Sequence, residues 1–238
     1  AYTAANTAET PHGRAEAWAI NVTGIAALAR IASIHSITLV HVSSDYVFDG
    51  TGKTPWKESD IPNPLSAYGR TKLEGEKRIA ALGGKHLIFR TSWVYDETGK
   101  NFVNTMLRLG AERDELRVVN DQWGAPTYAR HLAQATLTAL ENAQKAPRFP
   151  SGVYHLCGGG ETNWQQFARQ IFAEAKLSKS PKIHGIPSSE YPTPAKRPMN
   201  SRLDCSKALH VLGVKLPAWE EALKECLERK NEGNRLSA

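Results

Sequence analysis

A tyrosine and a lysine one helical turn apart, in Tyr68-Gly69-Arg70-Thr71-Lys72, are the residues of this chain best suited to moving a proton. Positions four apart share a helix face, so the Lys72 ammonium can lie near the Tyr68 phenol and favour its ionised form. An isolated tyrosine, with a pKa of about 10, is a poor acid or base at neutral pH. A third group is supplied by Ile37-Thr38-Leu39-Val40-His41-Val42-Ser43-Ser44, a β-branched apolar run ending in hydroxyls, the pattern of a buried parallel strand. Open α/β sheets bind ligands at the carboxyl ends of their strands, which projects Ser44 into the cleft that the Tyr68 helix borders. A hydroxyl, a phenol and an ammonium converging there suit protonation of an oxygen as hydride reaches its carbon.

The chain has seven tyrosines, so the spacing alone recurs by chance, and the elements that position it must be legible too. A polar, Pro-containing loop, Ser59-Asp60-Ile61-Pro62-Asn63-Pro64, precedes the pair, and the Ala, Glu, Lys and Leu content of residues 73–82 favours helix. Residues 11–33 have a helical apolar stripe of Ala15, Trp18, Ala19, Val22, Ile25, Ala26, Leu28 and Ala29. Strand patterns occupy residues 86–90, 116–120 and 152–157; helical ones occupy 101–109, 127–141, 163–175, 206–212 and 219–229. The triple glycine Gly158-Gly159-Gly160 lacks the spacing of a phosphate-binding loop and reads as a flexible hinge. Disorder is expected from Lys230 onward. His41, midway along a buried strand, reads as a core histidine.

Five ordered motifs then resemble one family. Val42-Ser43-Ser44-Asp45-Tyr46-Val47-Phe48-Asp49-Gly50, the Tyr68–Lys72 pair, Arg90-Thr91-Ser92-Trp93-Val94-Tyr95, Asp121-Gln122-Trp123-Gly124-Ala125-Pro126-Thr127 and Arg197-Pro198-Met199-Asn200-Ser201-Arg202-Leu203 resemble the dTDP-4-dehydrorhamnose reductases, a branch of the extended short-chain dehydrogenase/reductases. The resemblance implies a Rossmann-like α/β fold, a parallel sheet with helices on both faces whose N-terminal half is missing, plus a small, mostly helical substrate lobe. It places the remaining NAD(P)-binding domain in residues 1–160, with 95–119 contributing to the lobe, and the lobe and tail in 161–238. The activity implied is reduction of dTDP-4-dehydro-β-L-rhamnose to dTDP-L-rhamnose, for cell-surface polysaccharide such as lipopolysaccharide O-antigen.

By the same resemblance Ser44, Tyr68 and Lys72 are catalytic. Tyr2, Thr3, Ser43, Tyr68, Lys72 and Thr91 contact the cofactor, and Ser44, Asp45, Tyr46, Trp93 and Arg197 contact the substrate. Tyr2 and Thr3 read equally well as terminal coil, and Tyr46 as a packed aromatic. Asn21 in Asn21-Val22-Thr23-Gly24 is similar to an asparagine that supports the active-site helix. NADH and NADPH both fit, because the residue that selects between them follows the second strand of such a fold, which this sequence lacks; no residue pattern specifies Mg. Sugar epimerases of the superfamily carry a Phe-Asn-rich sequence after the strand at 86–90 that is missing here. A cofactor-binding regulatory subunit is the competing class, and it has no need of the Ser44, Tyr68 and Lys72 set.

Composition bounds the remaining functions. The 238 residues are 41% hydrophobic, enough for one core or one core with a small lobe. The net charge of +6 is scattered among acids rather than gathered into a stripe, which argues against nucleic acid and is compatible with a pyrophosphate-containing ligand. No apolar run approaches the ~20 residues that span a bilayer, and no signal peptide is recognised, so no membrane partner is expected. Cys157, Cys205 and Cys226 are widely spaced and read as buried thiols, without a metal site, in a reducing cytoplasm. The missing glycine-rich segment would leave the strand ending at Ser44 as an apolar edge. That edge is expected to pair with the missing segment, to form a homodimer or to aggregate, and this chain alone is expected to bind dinucleotide weakly and to be inactive without it.

Overall fold

The computed structural model describes residues 1–175, 177 and 180–236. They form two compact units. Unit 1 comprises Ala1–Thr91, Thr136–Leu156 and Thr193–Lys215, and unit 2 comprises Ser92–Ala135, Cys157–Pro192 and Leu216–Ala238.

Unit 1 is built on a three-stranded parallel sheet in the order β1 (Leu39–Ser44), β2 (His86–Thr91), β7 (Gly152–His155). Its register pairs Ser44 with Thr91 and Arg90 with His155, so the hydroxyls and the arginine gather at the carboxyl ends. Helices cover both faces of this sheet. On one, Ile88 packs with Ala29 of α2 (Ile25–Ile34) and Ile79 of α3 (Ala67–Leu82). On the other, Tyr154 lies under the Lys207 ammonium of α7 (Ser206–Leu212). Neighbouring strand residues face opposite ways, which is why Val153 joins the first cluster and Tyr154 the second. β1 is an edge strand, with Val42 43% exposed.

Helix α1 (Pro11–Trp18) begins with Thr10 accepting the Gly13 N–H and a proline in the first turn. It runs through a π-helical stretch, Ala19–Gly24, into α2. Together Pro11–Ile34 make a 24-residue helical run that is long and apolar enough, by length and composition, to cross a membrane. This corrects the expectation that no run approaches that length: from Ala17 on, Ala and Ile dominate and Arg30 is the single charge. Here the run packs on α3. The expected apolar stripe is also corrected, because Ala15, Trp18 and Leu28 are exposed while Gly13, Ala17, Asn21, Val22, Ala29 and Ala32 are buried. The reason is close approach. A Cβ on Gly75 of α3 would stand 2.4 Å from the Asn21 carbonyl oxygen, so this contact selects small residues over large ones.

Unit 2 contains three strand pairs: β3 (Val94–Tyr95) parallel to β6 (Thr127–Tyr128), β4 (Glu115–Val119) parallel to β9 (Lys182–Ile186), and β5 (Trp123–Gly124) antiparallel to β8 (Thr162–Asn163). The strand β9 falls in a Pro- and Ser-rich stretch that carried no strand expectation. Around these pairs α4 (Phe102–Glu112), α6 (Trp164–Ala175) and α8 (Trp219–Leu236) enclose an aromatic core including Tyr95, Tyr128, Phe167 and Trp219. α8 extends through residues 230–236, which corrects the expected disorder there; residues 237–238 lie outside the described residues. The triple glycine is a close-packed connector and not a flexible hinge, since a Gly158 Cβ would meet the Pro126 carbonyl oxygen at 2.1 Å and Gly159 bridges to Ala218. Helix α5 (Ala129–Lys145) joins the units in sequence.

The packing of the π-helical stretch on α3 gives a test against intrinsic propensity. Alanine is the better helix former by about 1 kcal/mol, yet Gly75→Ala should lower unfolding stability by about 1–3 kcal/mol because the added methyl has no room. Chemical denaturation that found the variant stabilised would contradict this packing.

Candidate active site

Helix α3 starts with Ser66 accepting the Gly69 N–H, and Glu9 accepting the Ala67 N–H from outside the helix. Two capped donors fix the helix start, and with it Tyr68. The approach to the turn after β1 is tight here as well: a Gly69 Cβ would lie 2.2 Å from the Tyr46 carbonyl oxygen, so this turn accepts glycine alone. Further along, the Glu76 carboxylate is buried and takes a two-pronged bond from Arg90 of β2, Nε at 3.0 Å and Nη2 at 2.6 Å, and a bond from the Ser43 hydroxyl of β1. One face of α3 thereby holds to both strands.

That docking brings Tyr68 up to Ser44, with Lys72 one turn further along α3 against the backbone of β1. The Ser44 hydroxyl donates to Asp45 Oδ1 at 3.0 Å and accepts the Tyr46 N–H at 3.1 Å, and it lies close enough to the Tyr68 phenol to favour its ionised form. Burial raises the Tyr68 pKa well above the ordinary phenol value; the Ser44 hydroxyl opposes this, and the charges of Asp45 and Tyr46 add to it. The phenol therefore stays protonated at neutral pH. Lys72 has a different partner from the one expected. Its Nζ donates to the Val42 carbonyl oxygen at 2.6 Å, and burial lowers its pKa to about 8, with Glu76 pulling the other way.

Asp45 is buried, and its carboxyl is pushed up to about 6 by burial, against hydrogen bonds from Ser201 and Ser44. Tyr46 packs edge-on to Tyr68 at 5.5 Å, and its phenol is raised to about 12 by burial, with the Arg197 charge opposing. Arg197 is thus within electrostatic reach of this cluster. Its segment is anchored by Asn200, which donates to the Thr54 carbonyl and whose own carbonyl accepts from Trp56 Nε1. Thr91 stands level with Ser44 on β2, with its hydroxyl buried and without a partner among the described residues.

The other expected contacts fall out differently. Ser43 lies beside Ser44 in sequence, and its hydroxyl donates to the Glu76 carboxylate. Tyr2 is pinned by Asn21, which accepts its N–H at 2.9 Å and donates to its carbonyl at 3.0 Å. The same Asn21 amide donates to Thr71, the residue before Lys72. Tyr2 therefore packs with Tyr68 around Ala8, Ala17 and Ala67, whereas Thr3 is exposed. The π-helical stretch around Asn21 is what aims its amide at both partners. His41 is buried and neutral, its pKa lowered to about 3 by burial, then by Lys72 and the chain's amino group.

Trp93 belongs to unit 2 and has φ +49°, a left-handed conformation that costs a bulky residue about 1–3 kcal/mol and marks functional positions. Its ring stacks on Trp164, 3.7 Å between centroids. Trp164 was not singled out from sequence, and Ser201 only as part of the Arg197 segment near the substrate diphosphate, not as a partner of Asp45. Trp164 looks like any aromatic at a helix start, and Ser201 meets Asp45 from 156 positions away.

The chain is similar to several known proteins. The family model described as the RmlD substrate binding domain matches residues 1–232. A dTDP-4-dehydrorhamnose reductase of Shigella flexneri is 45% identical over 231 residues, covering 95% of this chain and 76% of the relative. Among solved structures, the dTDP-4-dehydrorhamnose reductase of Clostridium acetobutylicum aligns with a TM-score of 0.90 at 38% identity, covering 97% of this chain and 79% of that one. The Bacillus anthracis enzyme, solved in complex with NADP, aligns with a TM-score of 0.88 at 33% identity, covering 96% and 78%.

The Lys72 environment predicts a pH dependence. Burial disfavours the ammonium, so the side chain is charged below pH 8 and loses its proton as pH rises through about 8, well before a solvated lysine. The reduction rate at saturating cofactor should fall along a one-proton limb centred near pH 8. A profile flat to about pH 10, where free lysine titrates, would show that the charge on Lys72 is not required.

Proposed function

The chain belongs to the dTDP-4-dehydrorhamnose reductase family, and on that premise we propose that Tyr68, Ser44 and Lys72 carry out its proton chemistry. The enzyme reduces dTDP-4-dehydro-β-L-rhamnose to dTDP-L-rhamnose with NAD(P)H, in nucleotide-sugar biosynthesis. The observation that carries the assignment of roles is the placement of the Tyr68 phenol beside Ser44, close enough to influence its pKa, at the carboxyl end of the parallel sheet.

A nicotinamide, when bound, would supply the hydride for the 4-keto carbon. Tyr68 supplies the proton to the oxygen, and its raised pKa keeps it protonated until that oxygen gains negative charge. Ser44 holds the carbonyl. Its hydroxyl turns from Asp45 to the incoming oxygen, which exchanges one acceptor for another at little cost. Lys72, charged below pH 8, would hold the cofactor ribose. The partnerless Thr91 hydroxyl supports a cofactor contact on β2, because a buried donor without a partner is costly unless a ligand satisfies it. Tyr46 and Arg197 serve the substrate, Arg197 as a fork for its diphosphate.

Unit 1 is read as the cofactor part and unit 2 as the substrate lobe carrying Trp93 as a sugar contact. The edge of β1 is read as the place where a further strand pairs, from the same polypeptide or a second copy. Cytoplasmic operation fits a soluble nucleotide-sugar substrate.

Tyr68→Phe tests the assignment. In the complete protein the variant should fold normally and lose about 10²-fold or more in reduction rate, the scale of a general acid. Turnover of the 4-keto sugar at the wild-type rate would remove Tyr68 from the chemistry.

A further inference from the structure

The strained pose of Trp93 is held from one side by residues that the reaction itself does not use. Its carbonyl oxygen accepts the Thr127 N–H at 3.2 Å, and the Ser92 hydroxyl before it donates to the Ala125 carbonyl at 2.9 Å. One face of its ring lies on Trp164, 17° from parallel. Trp164 is in turn fixed on two sides. Phe102 packs on it at 4.6 Å, and its indole N–H donates to Gln122 Oε1 at 3.1 Å. The Gln122 amide donates to Ser188 Oγ at 2.9 Å, and the Ser188 hydroxyl and N–H both donate to Asp121, the former at 2.6 Å.

The loop at residues 121–127 therefore reaches Trp93 twice, through the backbone at Ala125 and Thr127 and through the side chains of Asp121 and Gln122. The short β5–β8 pairing, Trp123 with Asn163, keeps the loop in register with Trp164. Asn163 then caps α6 by accepting the Gln166 N–H, so Trp164 rides on the fixed first turn of a helix. A left-handed tryptophan persists where its surroundings over-determine it, and these do.

We propose that Trp164 and Gln122 are positioning residues for sugar-nucleotide recognition, holding the Trp93 indole in the orientation that presents its other face to the ligand. Relaxation of Trp93 toward ordinary backbone angles would otherwise swing the indole away. This rests on the reading of Trp93 as a substrate contact, and the experiment separates the two.

The complete protein is compared with its Trp93→Ala, Trp164→Leu, Trp164→Phe and Gln122→Leu variants. Binding of dTDP-L-rhamnose and of NADPH is titrated, and the far-UV exciton couplet of the stacked indoles is recorded. Trp164→Leu and Gln122→Leu should weaken dTDP-L-rhamnose binding roughly three- to tenfold, the worth of an aromatic pair, with NADPH affinity unchanged. The couplet should vanish in Trp164→Leu and Trp93→Ala. Trp164→Phe, which keeps a flat ring but loses the bond to Gln122, should weaken sugar-nucleotide binding no more than Gln122→Leu does. Gln122→Leu leaves the ring stack in place and carries the test if Trp164→Leu does not fold. If Trp93→Ala weakens sugar binding while the folded Trp164→Leu and Gln122→Leu bind normally, the positioning role is overturned and the Trp93 contact stands. If Trp93→Ala itself binds normally, both fall.

Discussion

The position of helix α3 depends on one buried carboxylate. Glu76 accepts from Arg90 of β2 and from Ser43 of β1, so a single charged group fixes the helix against two adjacent strands. A buried ion pair is weak evidence of net stabilisation, because desolvation offsets most of the attraction. Its value here lies in geometry. The guanidinium fork admits one orientation of the carboxylate, and Phe48 covers the guanidinium at 5.1 Å with Trp56 stacked behind it. Sliding α3 by one residue would leave a buried charge without its partner.

Everything chemical follows along that helix. Lys72 is one turn before Glu76 and Tyr68 is two, so the contact that docks the helix also aims the ammonium and the phenol at the strand ends. From the far side Asn21 ties Thr71 to the backbone of Tyr2, and the glycines at 69 and 75 let the backbones approach closely enough for these bonds to form. The same burial that excludes water keeps the phenol protonated and makes the lysine easier to deprotonate. Stability and chemistry are therefore served by one set of contacts.

Much of this was legible in the sequence because it is local. The Tyr68–Lys72 spacing, the hydroxyl-ended strand and the alternation of strands with helices are written in consecutive residues. What escaped depends on partners far apart in the chain. The stripe on residues 11–33 was drawn through the largest apolar side chains, yet the close contact with α3 buries alanines and glycines and leaves Trp18 and Leu28 in solvent. Ser43 looked like a twin of Ser44, and its bond to Glu76, far along the chain, was not legible. Lys72 was expected to lower the Tyr68 pKa, but a backbone carbonyl and a dry environment decide its state instead. The strand at Lys182–Ile186 has little intrinsic signal and exists because β4 pairs with it.

The most direct test is made at Glu76. Glu76→Gln keeps the side-chain shape and removes the charge, leaving the buried Arg90 without a counter-ion. The protein should lose about 3–5 kcal/mol of unfolding stability, and the molecules that remain folded should turn over the 4-keto sugar more slowly although Ser44, Tyr68 and Lys72 are unchanged. Denaturation and turnover measured on the same preparation decide it. A Glu76→Gln protein with wild-type stability and wild-type turnover would show that something other than this carboxylate holds the catalytic helix in place.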